Sequence, residues 1–320
     1  MSASRNGSGA GNGKHHSVIS LFCGCGGMDL GFRGGFEVFG KAYIRLPFQV
    51  VWANDISVPA CETYRQNLDG DVVHPGDIWD LLEELPRRAD VVIGGFPCQD
   101  ISINGKLGGL NGTRSGLYRA MVQVVARCKP RVFVAENVKG LLQRYNRENL
   151  AKVISDLSQL GYNLSYSLYH AADYGVPQTR QRVFIVGTAQ GEKPFRPPWP
   201  VLQKGEWMTS KEAIGDLESR EECPAINHVW SRAKRSPEQG NRRIKADWPS
   251  DTIRAECHGN IQYHYSLPRR LSMREAARIQ SFPDDFIFPA KLRETERQIG
   301  NAVPPVLAWH IAKAVRDCLS

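Results

Sequence analysis

A single thiol in a stiffened turn is the first candidate for chemistry. In Gly94-Gly95-Phe96-Pro97-Cys98-Gln99 two glycines and a proline expose Cys98 just beyond an apolar run. An unperturbed thiol has a pKa of about 8.5, so only a few per cent is thiolate at neutral pH; a helix N-terminus or a cationic neighbour raises that fraction. Burial as a structural residue is the commoner fate of cysteine, and this turn alone leaves that open. Cys23, Cys25, Cys61, Cys128, Cys223, Cys257 and Cys318 lack such a context. Glu136 closes the run Val132-Phe133-Val134-Ala135. A carboxylate directly after a buried run is prone to partial burial, which raises its pKa and suits it to donate a proton. A carboxylate at a helix N-terminus fits equally well. In Gln178-Thr179-Arg180-Gln181-Arg182 alternate residues would share one strand face. Gln178, Arg180 and Arg182 would then point together as an anion or base clamp, or stand solvated, as arginines usually do.

A second group could hold a ligand. Leu21-Phe22-Cys23-Gly24-Cys25-Gly26-Gly27 lies between a first strand and a helix, where glycines allow a tight turn and close approach. The spacing is not Gly-x-Gly-x-x-Gly, so a dinucleotide is not favoured. Asp55 ends the second apolar run, where an acid can hold ribose hydroxyls. Asp77, in Gly76-Asp77-Ile78, falls near the end of a third strand. Three groups at strand carboxyl ends suggest one nucleoside-bearing ligand; a turn and two solvated acids are the plainer alternative. Between His228 and Lys245, Arg232, Lys234, Arg235, Arg242, Arg243 and Lys245 face one acid, Glu238, with Trp230 and Trp248 nearby. This suits phosphate contacts, or an ordinary solvated basic face.

The elements that must position these residues are visible as hydrophobic patterns. Apolar runs at Ser17–Phe22, Phe48–Ala53, Asp90–Ile93, Arg131–Ala135, Leu164–Leu168 and Val183–Val186 are separated by helical stripes. One stripe is Leu117, Met121, Val124, Val125 and Cys128; another is Leu150, Val153, Ile154 and Leu157. Alternation of this kind predicts an α/β chain on a doubly wound, Rossmann-like mixed sheet. Pro194, Pro197, Pro198 and Pro200 mark a change of regime, and periodicity stays weak to about Pro268. Ser272-Met273-Arg274-Glu275 reads as a capping box opening a helix. A last helix is expected from about Pro304 to Cys318, with Leu307, Ile311, Ala314, Val315 and Cys318 inward.

Bulk properties bound the function. The 320 residues correspond to about two domains. No run of 18 apolar residues exists to form a membrane span. Met1–His16 is Gly/Ser/Asn-rich and is expected to lack fixed structure rather than act as a signal peptide. Eight cysteines without a Cys-x-x-Cys argue against a disulfide scaffold or a zinc site, so no metal is expected and the cytoplasm is the expected compartment. A net charge of +8 permits a polyanionic partner without demanding one.

The order of the blocks decides among these readings. Phe22-x-Gly24-x-Gly26-Gly27, Asp55, Asp77, Pro97-Cys98-Gln99, Glu136-Asn137-Val138 and Gln178-x-Arg180-x-Arg182 are followed by Arg270-Leu271-Ser272-x-Arg274-Glu275-Ala276-Ala277-Arg278-Ile279-Gln280-Ser281-Phe282-Pro283. Gln298-x-Gly300-Asn301-Ala302-Val303-Pro304-Pro305 closes the series. From about Ser17 to Ser320, the middle segment excepted, the chain resembles the DNA (cytosine-5)-methyltransferases, particularly bacterial enzymes of the restriction-modification type. The resemblance implies the S-adenosylmethionine-dependent methyltransferase fold, with residues 1–16 as a tail and 17–188 catalytic and cofactor-binding. Residues 189–290 would be a smaller, irregular target-recognition domain, and 291–320 a helix returning to the catalytic domain.

It also implies roles. Phe22, Gly24, Gly26, Gly27, Ile78, Pro97 and Asn301 would line the cofactor site; Asp55 would bind ribose, Ile56 pack on adenine and Asp77 take its amino group. Cys98 would be the nucleophile, and Glu136, Arg182 and Arg180 the cytosine clamp. Gln99, Ser102, Arg232, Lys234, Arg235, Arg242, Arg243 and Lys245 would meet double-stranded DNA. A monomer without membrane contact is expected, associated with the nucleoid through DNA. A cognate restriction endonuclease would act on the same site without needing direct contact. Asp55 stands where the family commonly has glutamate. A transfer-RNA methyltransferase on the same scaffold would carry a Cys-Phe-Thr signature, which is absent. A non-enzymatic DNA-binding regulator is disfavoured by the intact Pro97-Cys98-Gln99.

Overall fold

Strands covered by helices on both faces have no solvent side, so they read as nearly continuous apolar runs. In the computed structural model, which describes residues 15–96, 116–232, 242–255 and 262–319, these runs become the centre of one sheet. The first half of the chain gives β1 (His16–Leu21), α1 (Gly27–Arg33), β2 (Phe36–Val38), β3 (Lys41–Tyr43), β4 (Phe48–Asp55), α2 (Val58–Asn67), β5 (Val73–Pro75), α3 (Ile78–Leu81) and β6 (Val91–Gly95). Then come α4 (Leu117–Cys128), β7 (Val132–Val138), α5 (Arg147–Ser158), β8 (Asn163–His170) and β9 (Gln181–Thr188). The remaining helices are α6 (Ser210–Ile214), α7 (Met273–Ile279), α8 (Leu292–Asn301) and α9 (Pro305–Cys318).

Seven strands lie in the order β5-β4-β1-β6-β7-β9-β8. β5, β4, β1, β6 and β7 pair in parallel. β9 runs antiparallel to both its neighbours, which makes the sheet mixed. β2 and β3 form a separate hairpin. Alternate residues split cleanly between the two faces. Val18, Val91, Val132, Val134, Phe184 and Val186 join the core that contains Leu30, Phe32, Ile279, Leu307 and Ile311. Ile19, Leu21, Val92, Phe133, Ala135, Val183 and Ile185 join Met121, Val124, Val153 and Leu157. The first of these cores also takes in Ile214, Ile244, Ile253, Leu271 and Met273. These five buried residues of the irregular middle segment thus share one core with that face of the sheet.

α9 returns to α1. A Cβ on Gly31 would stand 2.4 Å from Ala308 Cβ and 2.6 Å from the Pro305 carbonyl oxygen. The two helices thus meet at a distance only glycine permits. The capping box forms as expected: Ser272 Oγ accepts from the Glu275 N–H at 3.0 Å, and Glu275 Oε2 accepts from the Ser272 N–H at 2.7 Å. Two boundaries differ from expectation. His16 belongs to β1, one residue inside the expected tail. Glu136 lies within β7 rather than at its end, because pairing with β9 continues to Val138.

Candidate active site

Parallel strands joined by crossovers end at one edge of the sheet, and a crevice opens where the winding reverses. Here the reversal falls beside β1, between β4 on one side and β6 on the other. The candidate residues follow these strand ends in sequence along the edge.

After β1 the chain turns sharply, with φ of +54° at Phe22 and +55° at Gly24. The Cys23 N–H donates to the Asn54 carbonyl at 2.9 Å, tying the turn to β4. Asp55 completes the tie: Oδ2 accepts from the Gly24 N–H at 2.9 Å and Oδ1 from the Ser57 N–H at 2.8 Å. Burial raises the pKa of Asp55, against the pull of those two N–H groups and of Arg297. The glycines divide into two kinds. A Cβ on Gly24 would meet nothing within 4 Å, so the turn presents open backbone there. A Cβ on Gly26 would stand 2.3 Å from Leu68 Cδ1, and one on Gly27 2.5 Å from the Val303 carbonyl oxygen. Gly26 and Gly27 thus serve close packing under the turn. Ile56, 73% exposed, offers an apolar shelf beside Asp55. Asp77 caps α3, Oδ1 accepting from the Trp79 N–H at 3.0 Å. Ile78 turns its side chain into the core rather than the crevice. Asn301 is exposed at the end of α8. An open glycine turn, an anchored carboxylate and an exposed apolar shelf suit a nucleoside with a charged tail.

β6 leads to the candidate nucleophile. Pro97, Cys98, Gln99 and Ser102 lie outside the described residues; Phe96 is the last described residue before them. Asn137, buried in β7, donates from Nδ2 to the Phe96 carbonyl at 3.0 Å and so fixes the backbone two residues before Cys98. Glu136 is the register partner of Gly95. A Cβ at Gly95 would stand 3.0 Å from Glu136 Oε2, so glycine leaves the carboxylate room over the end of β6.

Glu136 and Arg182 meet through sheet geometry. Val138 is the register partner of Arg182, which makes Glu136 and Arg182 diagonal neighbours on one face. Arg182 Nε reaches Glu136 Oε1 at 2.8 Å, with both side chains largely buried. Burial raises the pKa of Glu136, opposed chiefly by the charge of Arg182 and then that of Arg180.

Gln178 and Arg180 do not join this pair by hydrogen bonds. β9 begins only at Gln181, so strand alternation does not reach them. They border the 250s segment instead: the Thr179 N–H donates to the Ser250 carbonyl at 2.8 Å. Arg180, 1% exposed, donates from Nη1 to the Ile253 carbonyl and from Nη2 to the Gly300 carbonyl, each at 3.0 Å. Gln178 accepts from the Ile253 N–H at 3.0 Å and donates to Gln280 Oε1 at 2.5 Å. Gln280 in turn donates to the Ile299 and Ala302 carbonyls at 2.9 and 2.6 Å. Three buried polar side chains thereby rivet the start of β9, the 250s segment, the end of α7 and the α8–α9 junction. Asn137 and Gln280 are visible in the sequence only as parts of larger blocks; nothing in their type singles them out.

The basic segment also divides. Arg232 pairs with Glu222 and lies 5.3 Å from the Trp230 ring centroid. Arg269 covers that ring at 4.2 Å. Arg243 Nη1 donates to the His264 and Leu267 carbonyls, while the residue itself stays exposed. Arg242 and Lys245 are exposed and make no ion pair or side-chain hydrogen bond among the described residues. Lys234 and Arg235 lie outside the described residues.

Sheet order, crevice and paired acid define a Rossmann-like methyltransferase architecture, and solved structures share it. A prophage-encoded E. coli chain described as a DNA modification methyltransferase superposes with a TM-score of 0.72 at 23% identity, over 95% of this chain and 99% of that one. The sequence model of C-5 cytosine-specific DNA methylases matches residues 16–248 and 204–317, and the chain belongs to that family. It is 38% identical to the type II methyltransferase M.NgoFVII of Neisseria gonorrhoeae over 95% of this chain and 87% of the relative. It is 33% identical to the type II methyltransferase M.FnuDI of Fusobacterium nucleatum over 95% of each.

Proposed function

We propose that this chain methylates carbon 5 of a cytosine flipped out of a specific double-stranded DNA sequence, as the modification enzyme of a restriction-modification system. The observation that carries the reading is the buried Glu136–Arg182 pair, seated against Gly95, three residues before Cys98 in the sequence. Gly24, Asp55, Ile56 and Asp77 would hold S-adenosylmethionine at the adjoining strand ends, with Phe22 and Asn301 nearby. When bound, that cofactor supplies an electrophilic methyl group on a sulfonium.

The target base must leave the stack before its ring carbons are accessible. Cys98, as thiolate, adds to carbon 6 of the ring, and the electron pair displaced from the 5,6 double bond moves toward nitrogen 3 and carbon 5. Glu136 meets the charge by giving a proton to nitrogen 3. A raised pKa keeps more of that proton available at neutral pH than an ordinary carboxylate would. Arg182 orients the carboxyl group and limits how far its pKa rises. Carbon 5 would take the methyl group, with the electron pair of its old bond to sulfur left on the cofactor; loss of the carbon-5 proton to water then expels Cys98 as thiolate and restores the 5,6 double bond, and nitrogen 3 returns its proton to Glu136. Asn137 acts by fixing Phe96, and Arg180 by holding Ile253 and Gly300.

DNA is the partner in this reading, met by Gln99, Ser102, Arg232, Lys234, Arg235, Arg242, Arg243 and Lys245; of these Arg232 also pairs with Glu222, and Arg243 also donates from Nη1 to two carbonyls. The enzyme would work as a cytoplasmic monomer, and a cognate endonuclease would share the DNA site without touching it. The test offers methyl-labelled cofactor with duplex DNA and with transfer RNA. Label recovered as 5-methylcytosine in DNA is the expected result; label in transfer RNA alone, or in neither, overturns the reading.

A further inference from the structure

Beyond the clamp, the same edge of the sheet carries a second basic surface. β7 ends at Val138, and two short helical turns, Lys139–Leu142 and Arg144–Asn146, lead into α5. Leu141, fully buried, pins the first turn to the core. Asn146 Nδ2 donates to the Gly140 carbonyl at 2.8 Å, and the Asn146 N–H donates to the Gln143 carbonyl at 2.9 Å, so the loop is held as a unit. On it, Lys139, Arg144 and Arg147 are exposed and have no ion-pair partner among the described residues. Between Lys139 and Leu150 the one acid in the sequence is Glu148, and it is exposed. Many cations elsewhere are paired: Arg127 with Glu83, Arg131 with Glu192, Arg278 with Asp216 and Asp284. Tyr145, 75% exposed, stands among the three free ones.

Along the carboxyl edge of the parallel strands the order is the Phe22–Gly27 turn with Asp55 at β1 and β4, Gly95 at the end of β6, Glu136 with Arg182 at β7 and β9, and this surface directly after β7. A duplex that delivers a base to Glu136 must pass the end of β7. Resting on the DNA reading above, we infer that Lys139, Arg144, Tyr145 and Arg147 form a phosphate-tracking surface. It grips the DNA backbone flanking the flipped cytosine, outside the basic segment of 228–245. The three cations neutralise phosphates, and Tyr145 offers an aromatic face and a hydroxyl to the adjoining sugar-phosphate. Interactions of this kind set register and strength and carry no sequence choice.

The test is a Lys139→Ala/Arg144→Ala/Arg147→Ala variant of the full chain, with Tyr145→Ala made separately. Binding to cognate and to unrelated duplex is measured between 50 and 200 mM salt. Each phosphate that is no longer neutralised lowers the slope of log affinity against log salt by about 0.9. Removing three cations therefore changes the slope by about 2.7. The affinity deficit of the triple variant should then shrink by about 40-fold across that fourfold range. The deficit should be equal on both duplexes, with turnover at saturating DNA and calorimetric cofactor binding unchanged. Tyr145→Ala should weaken both duplexes alike and leave the slope nearly intact. A wild-type salt slope in the triple variant overturns the inference, as does a deficit confined to the cognate sequence. Because wild-type methylation of DNA is scored independently, these outcomes are separate from failure of the DNA reading itself.

Discussion

Replacing Arg180 separates a rivet from a base clamp. Its guanidinium donates to the Ile253 and Gly300 carbonyls at 3.0 Å, in a site that leaves the residue 1% exposed. Hydrogen bonds from a charged donor contribute about 1.5–3 kcal/mol each, and an orphaned buried carbonyl costs about 1–3 kcal/mol. Burial of the cation offsets part of this, since it holds the Arg180 pKa well below that of a free guanidinium. Arg180→Ala is therefore expected to destabilise the fold by about 3–4 kcal/mol, less than the plain sum. Arg180→Lys, with one compact ammonium for two carbonyls, should recover about half. Urea denaturation followed by tryptophan fluorescence gives the stability, and initial rates on saturating DNA well below the melting range give turnover. Turnover in Arg180→Ala should survive better than in Arg182→Ala, whose guanidinium touches Glu136. Unchanged stability together with a loss of turnover as large as that of Arg182→Ala would place Arg180 at the base and refute the rivet.

Glu136→Gln should lower turnover by about 10²–10⁴-fold, the usual worth of general-acid assistance. Because burial raises the Glu136 pKa in the folded state, its contribution to stability is complete at low pH and is lost as pH rises through that pKa. The stability of Glu136→Gln relative to wild type should thus improve with rising pH; denaturation midpoints at several pH values would show a flat or opposite trend if the carboxyl pKa were not raised. Gly24→Ala meets no atom within 4 Å but is strained at φ +55°, costing about 1–2 kcal/mol. It should weaken cofactor binding in calorimetry far more than it lowers stability. Gly27→Ala, which would drive a Cβ to 2.5 Å from a backbone carbonyl, should lose stability first; equal behaviour of the two variants would contradict the division.

Much of this architecture is legible in the sequence because apolar patterning is a strong signal where both faces of a sheet are covered. The six apolar runs mark β1, β4, β6, β7, β8 and β9, while β2, β3 and β5, three residues each, are too short to show periodicity. The block order alone puts Asp55, Glu136 and Arg182 near strand ends. What it does not show is the division of labour among similar residues. Arg180 and Arg182 differ by two positions, and only the start of β9 at Gln181 sends one to carbonyls of distant segments and the other to Glu136. Gly24 and Gly27 look alike in a motif; the neighbours Val303 and Leu68 that set the glycines apart come from remote parts of the chain. Arg243, one of six cations in a row of charges, proves to be bonded to His264 and Leu267 carbonyls. Such assignments depend on neighbours at long sequence separation, which local pattern does not encode.

The central claim is covalent attack by Cys98 on carbon 6 of a cytosine whose nitrogen 3 is served by Glu136. The direct measurement offers duplex DNA carrying 5-fluorocytosine at the target, with S-adenosylmethionine, and looks for a denaturant-stable protein–DNA adduct mapped by peptide mass. Carbon 5 then holds fluorine, which cannot leave as a proton does, so the ring cannot expel the thiol. The account predicts an adduct on Cys98 in the wild type and none in Cys98→Ser. An adduct on another residue, or turnover by Cys98→Ser close to that of the wild type, would contradict it.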